Sequence, residues 1–124
     1  MIQYLHLIHD TRVLILPKSN TSQYSLHNIH NLMDLAFSTQ AELLVLPIEH
    51  FDDSFFQLNT QIAGEFIQKF INYKIRLAFL GNIDKFLHQS KAFTDFVYES
   101  NLGASCWFVQ NIDELKQKLS MYKA

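Results

Sequence analysis

Three short runs of this chain are apolar almost without interruption: LLVLP at 43–47, IRLAFLG at 75–81 and ASCWFV at 104–109. Each is too short for an ordinary helix, and each is closed by proline, glycine or a polar turn. Runs of this kind are strands buried on both faces, as in a parallel sheet covered on two sides. The stretches between them have a different period. Leu26, Ile29, Leu32, Met33 and Ala36 recur at three and four within 25–38. Ile62, Ala63, Phe66, Ile67, Phe70 and Ile71 do the same within 61–72, with Gln61, Glu65, Gln68, Lys69 and Asn72 on the opposite side. Both stretches predict helices with one wet face, and Glu65 stands four residues before Lys69 in the favourable order.

Ala92, Phe93, Phe96 and Val97 set the inner side of a third helix ending near Asn101. Leu102-Gly103 fits a helix end in which glycine takes the left-handed conformation. A fourth helix is held by Ile112, Leu115 and Leu119, with Asn111 as its cap and Glu114 at the capping-box spacing. Ahead of all these, IQYLHLI (2–8) and VLILP (13–17) read as two strands of an antiparallel hairpin turned at His9-Asp10. Residues 18–24 and 82–89 read as connections, and 54–58 as a short extended piece. The expected order is β-β-α-β-α-β-α-β-α. That order specifies a single α/β domain over 1–124, a mixed, mostly parallel sheet of about five strands with four helices, and the antiparallel strand at or near an edge.

The totals exclude several jobs. Net charge is −2, and Arg12 and Arg76 are the two arginines. A nucleic-acid module would show a clustered basic face, and the lysines here are scattered. No apolar run reaches the roughly 18 residues of a membrane span, and MIQYLHLIHD lacks the basic start and small-residue cleavage site of a leader. A cytoplasmic protein without nucleic-acid or membrane partners is expected. Cys106 is the one cysteine, set in an apolar run, and reads as a buried inert thiol.

Chemistry-bearing motifs are few. Gly64, Gly81 and Gly103 are too far apart to cradle a phosphate chain, and no nucleophile elbow is present. His27 and His30 share a helix side with Asp34, but a metal needs three or four converging ligands. They read as surface residues, so no metal or cofactor is expected. Glu49, His50, Asp52 and Asp53 lie just past the run at 43–47, at the strand end where open α/β sheets bind ligands. Asn59 and Thr60 open the 60–72 helix. Either side chain suits a helix cap, and an exposed hydroxyl at a helix start also suits phosphorylation. Asn82 follows the run at 75–81 at the same rim. Asn72 and Asn101 end their helices and read as amides that satisfy backbone groups in the helix-to-strand corners.

The segments FFQLNTQIAGEFIQKFINYKIRLAFLGNIDKF and FTDFVYESNLGASCWFV resemble the bacterial domain-of-unknown-function family 4180. That family's pattern reads FF-D-L-x-T-G-L-A-G-E, then Q-K-F-x-N-Y-x-x-R-L-A, then G-D, then D-F-x-x-E-S-N-x-G. The resemblance implies fold and company rather than an activity. This chain departs from it at Gln57 and Asn82, where the pattern has an acid, and at Gln61, where it has glycine. An amide cannot titrate, so any acid–base role of those acids would be lost here. More remotely, the element order is similar to STAS domains of the anti-sigma-factor antagonist type. That similarity places Thr60 near their phosphorylated serine, although the aspartate-serine pair itself is missing.

These readings converge on a non-enzymatic regulatory or protein-interaction module of STAS-like type. Its partner is expected to be another regulatory protein, met by the loop 48–59 and the start of the 60–72 helix. The alternative is a small-molecule binder or enzyme with Glu49, His50, Asp52 and Asp53 around a pocket at the strand ends. A homodimer through Phe51, Phe55 and Phe56 is a further expectation.

Overall fold

The computed structural model describes residues 5–16, 29–51, 53–57 and 61–121. Strands β1 (Leu5–Ile8), β2 (Thr11–Ile15), β3 (Leu43–Pro47), β4 (Arg76–Leu80) and β5 (Cys106–Val109) form one sheet in the order β1-β2-β3-β4-β5. β1 pairs antiparallel with β2, and every later pair is parallel. The three apolar runs therefore lie side by side in one direction, as their composition requires. Residues 2–4 and 17–28, which hold parts of both hairpin strands, the connection 18–24 and the start of the first helix as read from the sequence, lie outside the described residues.

The helices are α1 (Ile29–Thr39), α2 (Ile62–Asn72), α3 (Asp84–Gln89), α4 (Lys91–Leu102) and α5 (Ile112–Met121). α3 exceeds the expected set of four. Its six residues are too few to show a period in the sequence, where 82–89 reads as a connection, yet Phe86 anchors the turn in the core at 5% exposure. The sequence predicts an extended piece over 54–58, of which Leu58 lies outside the described residues. Instead Asp53–Phe56 form a 3-10 turn that drives Phe55 and Phe56 inward.

Two apolar layers sandwich the sheet. Leu14, Leu44, Leu77, Phe79, Cys106 and Phe108 face one side, where α1, α2, α3 and α4 cover them. Val13, Leu43, Val45, Ala78, Trp107 and Val109 face the other, against Leu115 and Leu119 of α5. Buried side chains of this size each contribute about 1.5–3 kcal/mol relative to exposure. Phe51, Phe55, Phe56, Phe66 and Phe79 meet ring to ring at centroid distances of 4.3–6.3 Å. Phe51, Phe55 and Phe56 are 6%, 3% and 2% exposed, so they belong to this core and offer no dimer surface.

The corners have identifiable locks. The β1–β2 turn uses positive φ at both His9 (49°) and Asp10 (65°), the geometry of a tight two-residue hairpin. α1 and α2 each end with a left-handed residue, Gln40 (φ 58°) and Lys74 (φ 62°). In both, the N–H of the left-handed residue and that of the residue after it donate to helix carbonyls: Lys74 to Ile71 and Ile75 to Phe70, Gln40 to Phe37 and Ala41 to Ala36. α4 is different. Gly103 is extended (φ −91°) rather than left-handed, so the glycine expected there as a conformational cap has no such role. α5 opens as read: Asn111 Oδ1 accepts from Glu114 N, while Glu114 Oε1 accepts from Gln110 N.

Candidate functional site

The rim past β3 and β4 holds part of the sequence-derived candidate set. Asp52, Asn59 and Thr60 lie outside the described residues. Glu49 is exposed in the turn after β3, whereas the neighbouring His50 is 1% exposed and belongs to the interior. Asp53 meets Lys85 Nζ at 3.3 Å, with both side chains more than half exposed. A pair so solvated contributes at most about 1 kcal/mol. Asn82 Oδ1 accepts the Asp84 N–H at 2.9 Å and so starts α3. An aspartate would accept the same bond, so this departure from the family pattern preserves the local geometry. The structure thus brings Asp53 to the α3 side of the rim and turns His50 away from it.

Gln61 has a conformational explanation. It precedes α2 with φ 62° and ψ 7°, and its side chain makes no capping bond. This is the left-handed region in which glycine is favoured. The glycine that the resemblance leads one to expect at 61 suits the backbone, not a reaction.

A larger feature lies elsewhere, between α2 and α4. A groove of about 350 Å³ has Gly64, Ile67 and Ile71 on the α2 wall, and Phe96 and Glu99 on the α4 wall. Cys106, the first residue of β5, contributes to its floor. A second hollow of about 400 Å³ shares Ile71, Ala104 and Ser105 with the first and continues to Lys74 and Arg76. The combined channel therefore opens toward the N-terminal end of the parallel strands, opposite the rim that sequence reasoning singled out. Burial pushes the Cys106 thiol well above its ordinary range, so the floor is apolar and protonated.

On the α5 side of the sheet, beside the turn that lines the lower end of the channel, lies one connected set of contacts. Arg76 Nε donates to Ala104 O at 2.8 Å, and its guanidinium lies 4.8 Å from the Trp107 ring centroid. Trp107 Nε1 donates to Gly103 O at 2.7 Å, and Lys118 Nζ donates to Asn101 O at 2.9 Å. The last turn of α4 and the residues after it are thus gripped at three carbonyls. Arg76 Nη2 is buried without a hydrogen-bond partner among the described residues. Desolvation lowers the Arg76 pKa, and the nearby Glu42 carboxylate offsets part of that shift. Asn101 works as read on the backbone, though on the strand instead of the corner: Phe108 N donates to its Oδ1 (2.8 Å) and its Nδ2 donates to Phe108 O (3.3 Å). Asn72 does not bond the backbone; its Oδ1 accepts from Gln68 Nε2.

The glycines explain why the channel is open. Gly81 is required by the fold, because its φ is +144° and a Cβ there would lie 2.5 Å from Ile48 Cγ1. Gly64 is in a helix, with nothing within 4 Å of its would-be Cβ. Gly103 has an ordinary backbone, and a Cβ there would meet Ser100 O at a comfortable 3.7 Å. Neither is needed for packing or dihedral angle, and both line the channel. Sequence reasoning missed this surface because a glycine's reason is visible only once its neighbours are placed.

A family model, Domain of unknown function (DUF4180), matches residues 8–119, and the chain belongs to that family. No curated protein and no solved structure matches the chain.

Proposed function

We propose that this chain is a non-enzymatic binding module of a regulatory, STAS-like kind, and that its recognition surface is the channel between α2 and α4. The observation that carries this reading is the placement of Gly64 and Gly103. A glycine inside a helix destabilises by about 1 kcal/mol relative to alanine. Gly64 has no packing neighbour that would make it necessary, and what its missing side chain leaves is room in the channel. Both glycines also lie in the segments through which the chain resembles its family. The channel begins in the first turn of α2, so it shares the helix start with the contact surface read from the sequence.

Binding without chemistry is supported by the composition of the walls. They carry Ile67, Ile71 and Phe96 with a few uncharged polar groups and Glu99. The Cys106 thiol stays protonated and is a poor nucleophile.

The test fills the channel. Gly64→Leu replaces a poor helix former with a good one and projects a side chain into the opening. The anionic apolar dye 8-anilino-1-naphthalenesulfonate is expected to brighten with the native protein and not with Gly64→Leu, whose melting temperature is equal or higher. Equal brightening by both proteins would remove the channel as the recognition surface. A second reading, in which a protein partner docks on the outer face of α4, is favoured by Tyr98 and Leu102. They stand one turn apart on α4, 66% and 61% exposed. Tyr98→Ala with Leu102→Ala would then abolish association in sedimentation and leave dye binding intact.

A further inference from the structure

We infer that β1 is the contact between two copies of this chain: its open edge pairs antiparallel with the same edge of a second copy, about a two-fold axis at His6. This surface is separate from the channel and does not depend on it. β1 ends the sheet order, and β2 is its one strand neighbour among the described residues. The direction of its peptide groups follows from β2. Arg12 N donates to Glu42 Oε1, and Arg12 O accepts from Glu42 N at 2.8 Å, so both Arg12 groups point toward β3. Peptide direction alternates along a strand, so Thr11 and Val13 turn theirs to β1, where they stand opposite Ile8 and His6. The N–H and C=O groups of Leu5 and Leu7 are therefore directed outward from the edge of the sheet.

This edge carries none of the usual deterrents. Open edges are blunted by lysine, proline, a bulge or a covering segment. β1 reads LHLI, and its register with β2 runs from Leu5↔Leu14 to Ile8↔Thr11 without a bulge. The opposite edge is treated differently, because the Asn101 amide exchanges two hydrogen bonds with Phe108 of β5. One edge is closed by a side chain and the other is left open. Leu7, on that open edge, is 69% exposed. It pairs with Arg12, whose Nε reaches Gln40 O at the end of α1, so its side chain is on the α1 side of the sheet.

A second copy fits because the outward groups are placed symmetrically about His6. In an antiparallel pair related by a two-fold axis, Leu5 of each copy stands opposite Leu7 of the other, and each such pair exchanges both of its hydrogen bonds. All the outward groups of both copies are then used. Leu5 packs beside Leu7 on the α1 side, which covers the exposed leucine. The two His6 residues form the close, non-hydrogen-bonded pair at the axis, with Cα atoms about 4.5 Å apart. On that face the seam runs beside a hollow of about 540 Å³ bordered by His6, Ile8, Ile15 and Ile112.

Sedimentation velocity on the full chain, from micromolar to millimolar protein, is expected to show a monomer–dimer equilibrium. Leu7→Pro removes an outward N–H and keeps the groups that face β2, a placement edge strands tolerate. It is expected to weaken the dimer at least about tenfold, because symmetry makes one substitution cost two hydrogen bonds. His6→Cys is expected to give a disulfide-linked dimer under mild oxidation, since the pair at the axis has disulfide spacing. Leu7→Cys, which faces Leu5 of the second copy, is not; Cys106 is buried and stays out of the crosslink. The cysteine variants decide the matter even where Leu7→Pro does not fold. A native chain that is monomeric at every concentration would overturn the proposal. So would a dimer that His6→Cys does not crosslink, or one that is lost with Tyr98→Ala and Leu102→Ala, which would put the contact on α4.

Discussion

At the scale of single residues, backbone sign matters more here than side-chain chemistry. Gln61 lies just before α2 at φ 62°, where an L residue is disfavoured by about 1–2 kcal/mol and glycine is not. Gln61→Gly is therefore expected to raise the unfolding free energy by about 0.5–1 kcal/mol, after the greater flexibility of glycine in the unfolded chain is subtracted. Urea denaturation monitored by far-ultraviolet circular dichroism measures it; an unchanged or lower midpoint would mean that the glutamine makes a compensating contact. The sequence could not have supplied this reason. Read alone, Gln61 is an odd amide where the family has glycine, and loss of an activity is as good an explanation as strain. Residue identity names a departure, and the dihedral angle says what the departure does. The same holds for Asn82, whose acceptor role at α3 survives the change from acid to amide.

At the scale of elements, continuous apolar runs and helical periods were legible because burial on two faces leaves them no alternative. β3 begins and ends where LLVLP does, and α2 ends where its stripe does. What was not legible is how the elements are finished. α3 is shorter than two helical turns, and the Ser90 cap of α4, whose Oγ accepts from Phe93 N at 3.1 Å, stands in an undistinguished polar stretch. The outer edge of β5 is the sharpest case. β5 ends the sheet order, so one side of it lacks a strand partner among the described residues, and the Asn101 amide occupies that side by exchanging two hydrogen bonds with Phe108. A carboxamide here imitates the peptide group of a sixth strand. Exposed edges invite pairing with other chains. Asn101→Ala is expected to lower stability by about 1–2 kcal/mol and to make the protein associate more than the native chain as its concentration rises. Sedimentation velocity at several concentrations decides this; a variant that is destabilised yet associates no more than the native chain would reduce Asn101 to an ordinary buried hydrogen bond.

At the scale of the whole molecule, the sheet is covered by four helices on one face and by α5 on the other, and Cys106 is sealed at the boundary between core and channel. Its thiol titrates well above the ordinary range in the folded state because burial disfavours the thiolate. In the unfolded chain the group titrates near about 8.5. Above that pH the unfolded state has released a proton that the folded state keeps. The unfolded state therefore binds fewer protons, and stability falls as pH rises, by up to about 1.4 kcal/mol per pH unit from this group. Below pH 8 the thiol is protonated in both states and contributes no slope. Cys106→Ala removes the titrating group at the cost of a small cavity, so the variant is expected to be less stable at pH 7 and to lose less between pH 8 and 10 than the wild type. Lysines and tyrosines titrate in both proteins and cancel in the comparison. Parallel slopes over that interval would show that the thiol ionises without unfolding. The channel floor would then be open enough to solvate a thiolate, and its apolar character would be lost with it.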